Sequence, residues 1–168
     1  QRTDHTNETL AANFFDMRTV WGDDGLRRRL MATILPECPP ARVFLAYLAG
    51  HALGNQPPLG FFRNFVVARS GAHEGKVDMK KCGLLPVVDL ARYYALSAGI
   101  DTVPTQQRLC DARDRGDLTA DGAESLQAAF EFIWRLRARQ QAAQMRAGAN
   151  IDNYLAPDTL TTTVCGGD

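Results

Sequence analysis

The chain contains 168 residues, of which 45% are hydrophobic and 23% are charged, values that are ordinary for a soluble globular protein large enough to bury a core. Nineteen basic and nineteen acidic residues give a formal net charge of zero. This balance argues against a dedicated nucleic-acid binder, because such domains carry a strongly basic surface. No apolar run approaches the roughly 20 residues of a membrane span, and no signal-peptide pattern opens the chain. We therefore expect a cytoplasmic protein that binds neither nucleic acid nor membranes.

The cysteines and histidines are scattered along the chain. The sequence has no C-x-x-C motif and no nearby pair of histidines, and its four cysteines are Cys38, Cys82, Cys110 and Cys165. This spacing does not favour a zinc site. A chain of this length also does not need disulfides for stability. No metal site is therefore assigned to the sequence.

Apolar residues recur at helical spacing along nearly the whole chain. Asp23 or Asp24 is the candidate N-cap of the second predicted helix, and Thr119 is the candidate N-cap of the longest one. In chain order, the seven predicted helices cover residues 6–15, 26–35, 41–53, 60–67, 84–98, 105–115 and 120–147. The segment at 60–67 is also compatible with a strand, whereas the chain beyond Gly148 is predicted to be a loop.

These elements predict an all-α fold, a compact bundle of about seven helices with one long helix near its C-terminal end. The sequence contains no internal repeat, low-complexity tract or interior linker. We therefore expect a single helical domain over residues 1–160, followed by an irregular tail at residues 161–168.

One informative stretch sets an extended polar segment against the start of a predicted helix. Asp78, Lys80 and Lys81 come directly before Gly83 and Pro86, which are typical of a helix N-terminus. Unpaired N–H groups and the helix dipole favour an anion there, so the lysines could complete a phosphate site. Alternatively, the lysines are solvated and Asp78 is the N-cap residue.

The long predicted helix changes character along its length. Its first half carries an apolar stripe at helical spacing, consisting of Leu126, Ala129, Phe130, Ile133 and Trp134. The same stripe continues into Arg137 and Gln141, while Arg135, Arg139 and Arg146 add further positive charge. These side chains either complement the helix dipole on a solvated face or line a polar cleft that holds a phosphate or a carboxylate.

A second polar pair lies near the beginning of the chain. Asp16 and Arg18 are two residues apart and would share a face in an extended segment. They could pair with each other, tie the first helix to the bundle, or belong to a site. A metal-binding role for Asp16 alone is weak, because Mg²⁺ generally requires a second carboxylate or a phosphate.

Several well-known catalytic motifs are absent from the sequence. It has no G-x-x-x-x-G-K-[ST] loop, G-x-G-x-x-G motif, H-E-x-x-H motif or nucleophile elbow. It also lacks a Gly-Ser followed by a D-x-D pair, the arrangement that would hold two metal ions for nucleotidyl transfer. The sequence therefore supplies no complete catalytic set.

Four segments together resemble one bacterial family, the putative nucleotidyltransferase substrate-binding domain. They are FFDMRTVWGD, PPLGFFRNFVVARSGAHEGKVDMKKCGLLPVVDLARYYAL, FEFIWRLRARQQ and DNYLAPDTL. The resemblance extends from about residue 13 to residue 160. In that family the helical module usually follows a nucleotidyltransferase domain similar to that of the PII-protein uridylyltransferases, and longer members carry CBS or cyclic-nucleotide-binding domains upstream.

The resemblance implies a non-catalytic substrate-binding or regulatory module that positions a nucleotide or a protein acceptor in a bacterial signalling protein. It implies no cofactor in this chain, although a Mg-nucleotide could be shared with a separate catalytic domain. The implied substrate-binding residues are Asp16, Arg18, Arg63, Asp78, Lys80, Asp89, Arg92, Arg135, Arg137 and Gln141. Arg108 and Asn153 match the same polar pattern without entering this set.

The partners implied by the resemblance are a nucleotidyltransferase domain, upstream or in trans, and a nucleotide. A homodimer is a further candidate assembly. The alternative function is a protein-interaction or dimerisation scaffold without a small-molecule site. Exposure of Trp21, Phe61, Phe62 and Tyr94 in one apolar patch would favour that alternative. An independent enzyme is the least favoured reading, because the catalytic motifs are missing.

Overall fold

A computed structural model describes residues 14–54 and 73–156. These ranges contain five α-helices: α1 (Gly25–Ile34), α2 (Arg42–Gly54), α3 (Leu85–Ser97), α4 (Thr105–Asp114) and α5 (Ala120–Arg146). Two two-residue strands, β1 (Val77–Asp78) and β2 (Tyr154–Leu155), form an antiparallel pair. The predicted helix at 60–67, most of the one at 6–15, and the tail at 161–168 lie outside the described residues.

The predicted helical class is confirmed, but the count of seven helices is not matched by the described residues. All five helices occur where apolar periodicity predicted them, with bounds that differ by no more than one residue at either end. The loop prediction beyond Gly148 is wrong at β2, which pairs with β1 in the register Val77↔Leu155 and Asp78↔Tyr154. No helix in the described ranges is long and apolar enough to cross a membrane.

The described residues fall into two compact units. Unit 1 contains residues 14–54 and 88–127, and unit 2 contains residues 73–87 and 128–156. Helices α3 and α5 each contribute residues to both units.

The core of unit 1 is built from the apolar faces of three helices and one tight turn. A 3₁₀ turn at Leu35–Glu37 follows α1 directly, with Pro36 in its first positions, where a missing N–H costs nothing. The buried side chains of this core are Met31, Leu35, Cys38, Leu45, Leu48 and Leu96. Phe15 and Phe44 pack against it with ring centroids 5.8 Å apart. The chain just before α1 is thereby attached to the core.

Unit 2 packs the β-pair against α5. Its buried cluster consists of Val77, Met79, Leu136 and Leu155. Before α3 the chain makes a π-helical turn at Lys80–Leu84. A Cβ atom on Gly83 would lie 2.9 Å from Cγ2 of Ile133 on α5, so this turn can approach the helix closely only with glycine there.

An arginine cleft in unit 1

An open cleft of about 560 Å³ lies on unit 1. One wall is the chain at residues 17–27 and the other is the connection between α3 and α4 at residues 101–104. The lining residues are Met17, Arg18, Thr19, Gly22, Asp24, Arg27, Asp101, Thr102, Val103 and Pro104. The cleft therefore combines apolar side chains with two guanidinium groups and two carboxylates.

Arg27 joins the two walls of this cleft. Its Nη1 atom lies 2.9 Å from Oδ1 of Asp101, and its Nε atom lies 3.0 Å from Oδ1 of Asp24. The hydrogen bonds that Arg27 donates to Asp101 and Asp24 raise the pKa of Arg27. A hydrogen bond from Thr19, followed by that from Arg27, lowers the pKa of Asp24. The Asp24 carboxylate is therefore held ionised by groups of the cleft itself.

Arg18 is the cation of the cleft that the fold leaves available. Arg18 is exposed, and its side chain has no hydrogen bond or ion pair within the described part of the chain. A guanidinium presents five donors in a planar fork that suits phosphate and carboxylate oxygens. Of the two arginines that line the cleft, Arg18 is the one positioned to bind an anion without breaking an internal contact.

Arg108 links one wall of the cleft, at Thr102, to the chain directly before the other wall, at Phe15 and Asp16. Its side chain is 2% exposed, and its Nε donates to the carbonyl oxygen of Thr102. Its Nη2 donates to the carbonyl oxygen of Phe15 at 2.8 Å, and its Nη1 donates to Oδ1 of Asp16 at 2.8 Å. Burial lowers the pKa of Arg108 although Asp16 acts in the opposite direction. Arg108 was not among the predicted site residues, although its match to the family's polar pattern was a signal that could have found it.

Three predicted site residues meet beside Arg108. Nη2 of Arg92 lies 2.6 Å from Oδ2 of Asp16, and Nη1 of Arg92 lies 2.7 Å from Oδ1 of Asp89. Oδ2 of Asp89 lies 3.1 Å from Nδ1 of His51. Asp16 therefore pairs with Arg92 and Arg108 rather than with Arg18. Most of the first predicted helix, which Asp16 was expected to tie to the bundle, lies outside the described residues.

The pKa values in this network follow from burial opposed by charge. Burial alone would raise the pKa of Asp16, but hydrogen bonds and charges of Arg92 and Arg108 lower it. Burial alone would lower the pKa of Arg92, but Asp16 and Asp89 raise it. Asp16 and Arg92 are therefore ionised at neutral pH, and the carboxylates of Asp16 and Asp89 are both engaged by guanidinium groups.

Two predicted site residues, Arg137 and Gln141, lie in unit 2 and hold the chain that follows α5. Nε of Arg137 donates to Oδ1 of Asn153 at 2.6 Å. Nε2 of Gln141 donates to the carbonyl oxygen of Asp152 at 3.3 Å. Both side chains are half-buried, and the predicted role in a substrate cleft stays a prediction. Their observed partners belong to this chain.

Asp78 caps the π-helical turn. Its Oδ1 accepts the N–H of Lys80 at 3.0 Å and that of Lys81 at 2.9 Å, while both lysines are exposed. The Asp78 side chain therefore caps these two N–H groups, although the N-cap position of the turn is Met79 rather than Asp78, the residue that the sequence had suggested. Its carboxylate occupies the place where a bound anion would accept these N–H groups.

The two remaining predicted site residues are Arg135 and Arg63. Within the described ranges, neither is seen to contact the Asp16 network, the cleft of unit 1 or the segment held by Arg137. Arg135 forms an exposed i,i+4 ion pair with Glu131 at 2.5 Å in unit 2. Arg63 lies outside the described residues. Across 14–54 and 73–156, no group of three or more His, Cys, Asp or Glu side chains is arranged to hold a metal ion.

Fold and site together define a mainly helical module in which a buried arginine network supports an open polar cleft. The chain belongs to the family described as the putative nucleotidyltransferase substrate binding domain, whose model matches residues 42–164. This match confirms the resemblance seen in the sequence. Asp16 and Arg18 lie N-terminal to the matched region. No curated protein and no solved structure was found to match the chain.

Proposed function

We propose that this chain is a non-catalytic substrate-binding or regulatory module that positions a nucleotide or a protein acceptor for a nucleotidyltransferase. The observation that carries the proposal is its family membership over residues 42–164. The arginine cleft of unit 1 supplies chemistry suited to the role, because positioning a phosphate-bearing substrate needs guanidinium groups held in a fixed geometry. The bond-making step would be performed by a separate catalytic domain, upstream or in trans.

The carboxylates of the cleft fit a positioning role better than a metal-binding one. Asp24 and Asp101 each pair with Arg27, and a carboxylate neutralised in this way is a poor ligand for Mg²⁺. A Mg²⁺ ion would instead enter with the phosphates of the nucleotide and be shared with the catalytic domain. The proposal therefore assigns no cofactor to this chain itself.

Within the cleft we assign anion binding to Arg18, which has no partner in the described part of the chain. The roles of Lys80, Arg135 and Arg137 in substrate binding stay predictions. The signalling context, the bacterial source and the cytoplasmic location also remain parts of the proposal, inferred from the resemblance.

Calorimetric titration of the full chain with ATP, UTP and GTP in the presence of Mg²⁺ tests the nucleotide role. We expect Arg18→Ala to weaken binding about tenfold, because one charge-assisted contact to phosphate is lost. Arg29→Ala is the matched control, since Arg29 is exposed on α1 and does not line the cleft. Absence of binding to all three nucleotides by the wild-type chain would contradict nucleotide positioning.

A protein-interaction or dimerisation scaffold is the second candidate function. The observation that favours it is the exposure of apolar side chains in residues 14–26, where Trp21 is 95% exposed and Val20 is 87% exposed. Tyr94, in contrast, is half-buried against the cluster of Ala95, Ile100 and Ala112. Phe61 and Phe62 lie outside the described residues.

Light scattering over a range of protein concentrations tests this second candidate. If residues 14–26 form a contact between copies of the chain, the wild-type mass should rise with concentration, and Val20→Ser with Trp21→Ser should return it to that of a monomer. An unchanged monomeric mass in both proteins would exclude self-association. Retained self-association in the double variant would place the contact elsewhere.

A further inference from the structure

The buried guanidinium groups of Arg92 and Arg108 converge on one carboxylate, that of Asp16. Arg92 is 6% exposed and Arg108 is 2% exposed, whereas 34% of the Asp16 side chain is exposed. Oδ2 of Asp16 lies 2.6 Å from Nη2 of Arg92, and Oδ1 lies 2.8 Å from Nη1 of Arg108. A partly exposed carboxylate thus covers two buried cations.

The charges of this network balance only while Asp16 is in place. Arg92 and Arg108 carry two positive charges, and Asp16 and Asp89 carry two negative charges. Asp89 is engaged on its other side, because its Oδ2 lies 3.1 Å from Nδ1 of His51. If the Asp16 carboxylate left, one buried positive charge would have no counterpart, and such a charge strongly favours a replacement anion.

The geometry of the two guanidinium groups suits a tetrahedral oxyanion. Planar N–H forks that reach two oxygens of one ligand are the usual way in which arginine binds carboxylate or phosphate. Here guanidinium groups from two helices, α3 and α4, reach the same carboxylate. Arg92 spans both oxygens, with Nη2 2.6 Å from Oδ2 and Nε 3.5 Å from Oδ1, and Nη1 of Arg108 donates to Oδ1. A phosphoryl group presents oxygens to both arginines in the same manner.

The carboxylate and the arginines are held by different parts of the chain. Arg92 and Arg108 lie on helices within the family match at 42–164, whereas Asp16 precedes that match. Asp16 is also followed directly by Met17 and Arg18, which line the cleft. Rotation of the Asp16 side chain would release Nε and Nη2 of Arg92 and Nη1 of Arg108. The other contacts of the two guanidinium groups, with Asp89 and with backbone carbonyls, would hold them in position.

We propose that Asp16 is an internal plug, whose carboxylate occupies a phosphoryl-binding site formed by Arg92 and Arg108 beside the cleft. A phosphoryl group of the bound nucleotide takes its place when the Asp16 side chain turns away. The nucleotide as the source of that phosphoryl group rests on the proposed function. The anion site itself rests only on the contacts of Arg92 and Arg108.

The first test measures thermal unfolding of the full chain in inorganic phosphate and in chloride at matched ionic strength. We expect phosphate to raise the melting temperature of Asp16→Ala by about 3 °C or more relative to chloride, because phosphate binds the vacated site of the folded state. Wild type should show a smaller shift. The control Asp117→Ala also removes one exposed carboxylate from unit 1 and should behave like wild type.

Asp16→Asn keeps the size of the side chain and provides a second variant should Asp16→Ala fold poorly. The same phosphate-specific shift is expected in it, and Arg92→Gln added to either variant should remove that shift. If neither Asp16 variant responds to phosphate more than to chloride, or if the shift survives Arg92→Gln, the anion site is excluded.

The second test compares nucleotide affinity and separates this inference from the proposed function. If Asp16 competes with the nucleotide for the arginines, Asp16→Asn should bind ATP or UTP about tenfold more tightly than wild type, whereas adenosine and uridine should bind both proteins equally. Equal or weaker nucleotide binding by Asp16→Asn would overturn the plug and leave the proposed function standing. Phosphate binding by the variants without nucleotide binding by any protein would support the anion site and contradict nucleotide positioning.

Discussion

Arg108 donates hydrogen bonds to three acceptors from a side chain that is 2% exposed. Two of these acceptors are backbone carbonyls, that of Thr102, which lines the cleft, and that of Phe15, which lies two residues before the cleft residue Met17. A lysine could not replace this side chain, because a single ammonium group cannot reach acceptors that diverge from a planar fork. Arg108 is therefore a positioning residue for the cleft.

The ionisation of Asp16 makes stability depend on pH. Its pKa is lowered in the folded protein by Arg92 and Arg108, so its charge stabilises the folded state above the unfolded pKa of about 3.9. That contribution is lost as the pH falls through the lowered folded pKa. We expect Asp16→Asn to reduce the free energy of unfolding by about 1–2 kcal/mol at neutral pH, a value moderated by the partial exposure of this carboxylate.

Urea unfolding of wild type and Asp16→Asn between neutral pH and about pH 3 measures this contribution. The difference in free energy of unfolding should be constant near neutral pH and shrink in acid. Asp117→Asn, whose carboxylate is exposed, is the control and should show little difference at any pH. If the difference in free energy of unfolding between wild type and Asp16→Asn does not change with pH, the ionised Asp16 carboxylate is not the source of the stabilisation.

The element that most constrains unit 2 is the π-helical turn at Lys80–Leu84. The Asp78 carboxylate closes its beginning, and the N–H of Met79 donates to the carbonyl oxygen of Asn153 at 2.9 Å. The same Asn153 accepts from Arg137 on α5. The turn, the β-pair and the long helix are thus joined through the chain at residues 152–155.

Gly83→Ala tests how tightly this turn packs on α5. A methyl group would lie 2.9 Å from Cγ2 of Ile133, and overpacking of this kind costs about 1–3 kcal/mol of unfolding free energy. The matched control is Gly50→Ala in α2, where nothing lies within 4 Å of the new Cβ. That control should be stabilising by about 0.5–1 kcal/mol, because alanine loses less conformational entropy in a helix. Urea unfolding of both variants would reveal the opposite signs, and equal effects would contradict the close packing.

At the scale of the whole molecule, the sequence pattern predicted the helices but not the contacts between residues far apart in the chain. Apolar periodicity is set by neighbouring residues, so it located α1 to α5 correctly. Asp16 and Arg92 are 76 residues apart, and Asp16 and Arg108 are 92 residues apart. No periodic pattern reports a contact across such a separation. The pairing of β1 with β2 was missed for the same reason, since two-residue strands carry no alternation.

The sequence indicated several of the charged residues that belong to the candidate site, but it indicated only some of the contacts between them. Asp16, Asp89 and Arg92 were predicted as site residues, and the structure brings these three side chains into contact. Arg137 and Gln141 were predicted either to lie on a solvated face or to line a polar cleft, but the segment that they hold could not be identified from spacing. The pattern of charged residues in the sequence shows which side chains need a partner. Which residue becomes that partner depends on the tertiary structure.

The exposure of both tryptophans determines which spectroscopic signals can be used. Trp21 is 95% exposed and Trp134 is 53% exposed, so indole emission changes little when the buried clusters come apart. Circular dichroism of the helices is the better monitor of unfolding. Trp21, directly before the cleft residue Gly22, is instead a natural fluorescent reporter for whatever enters the cleft.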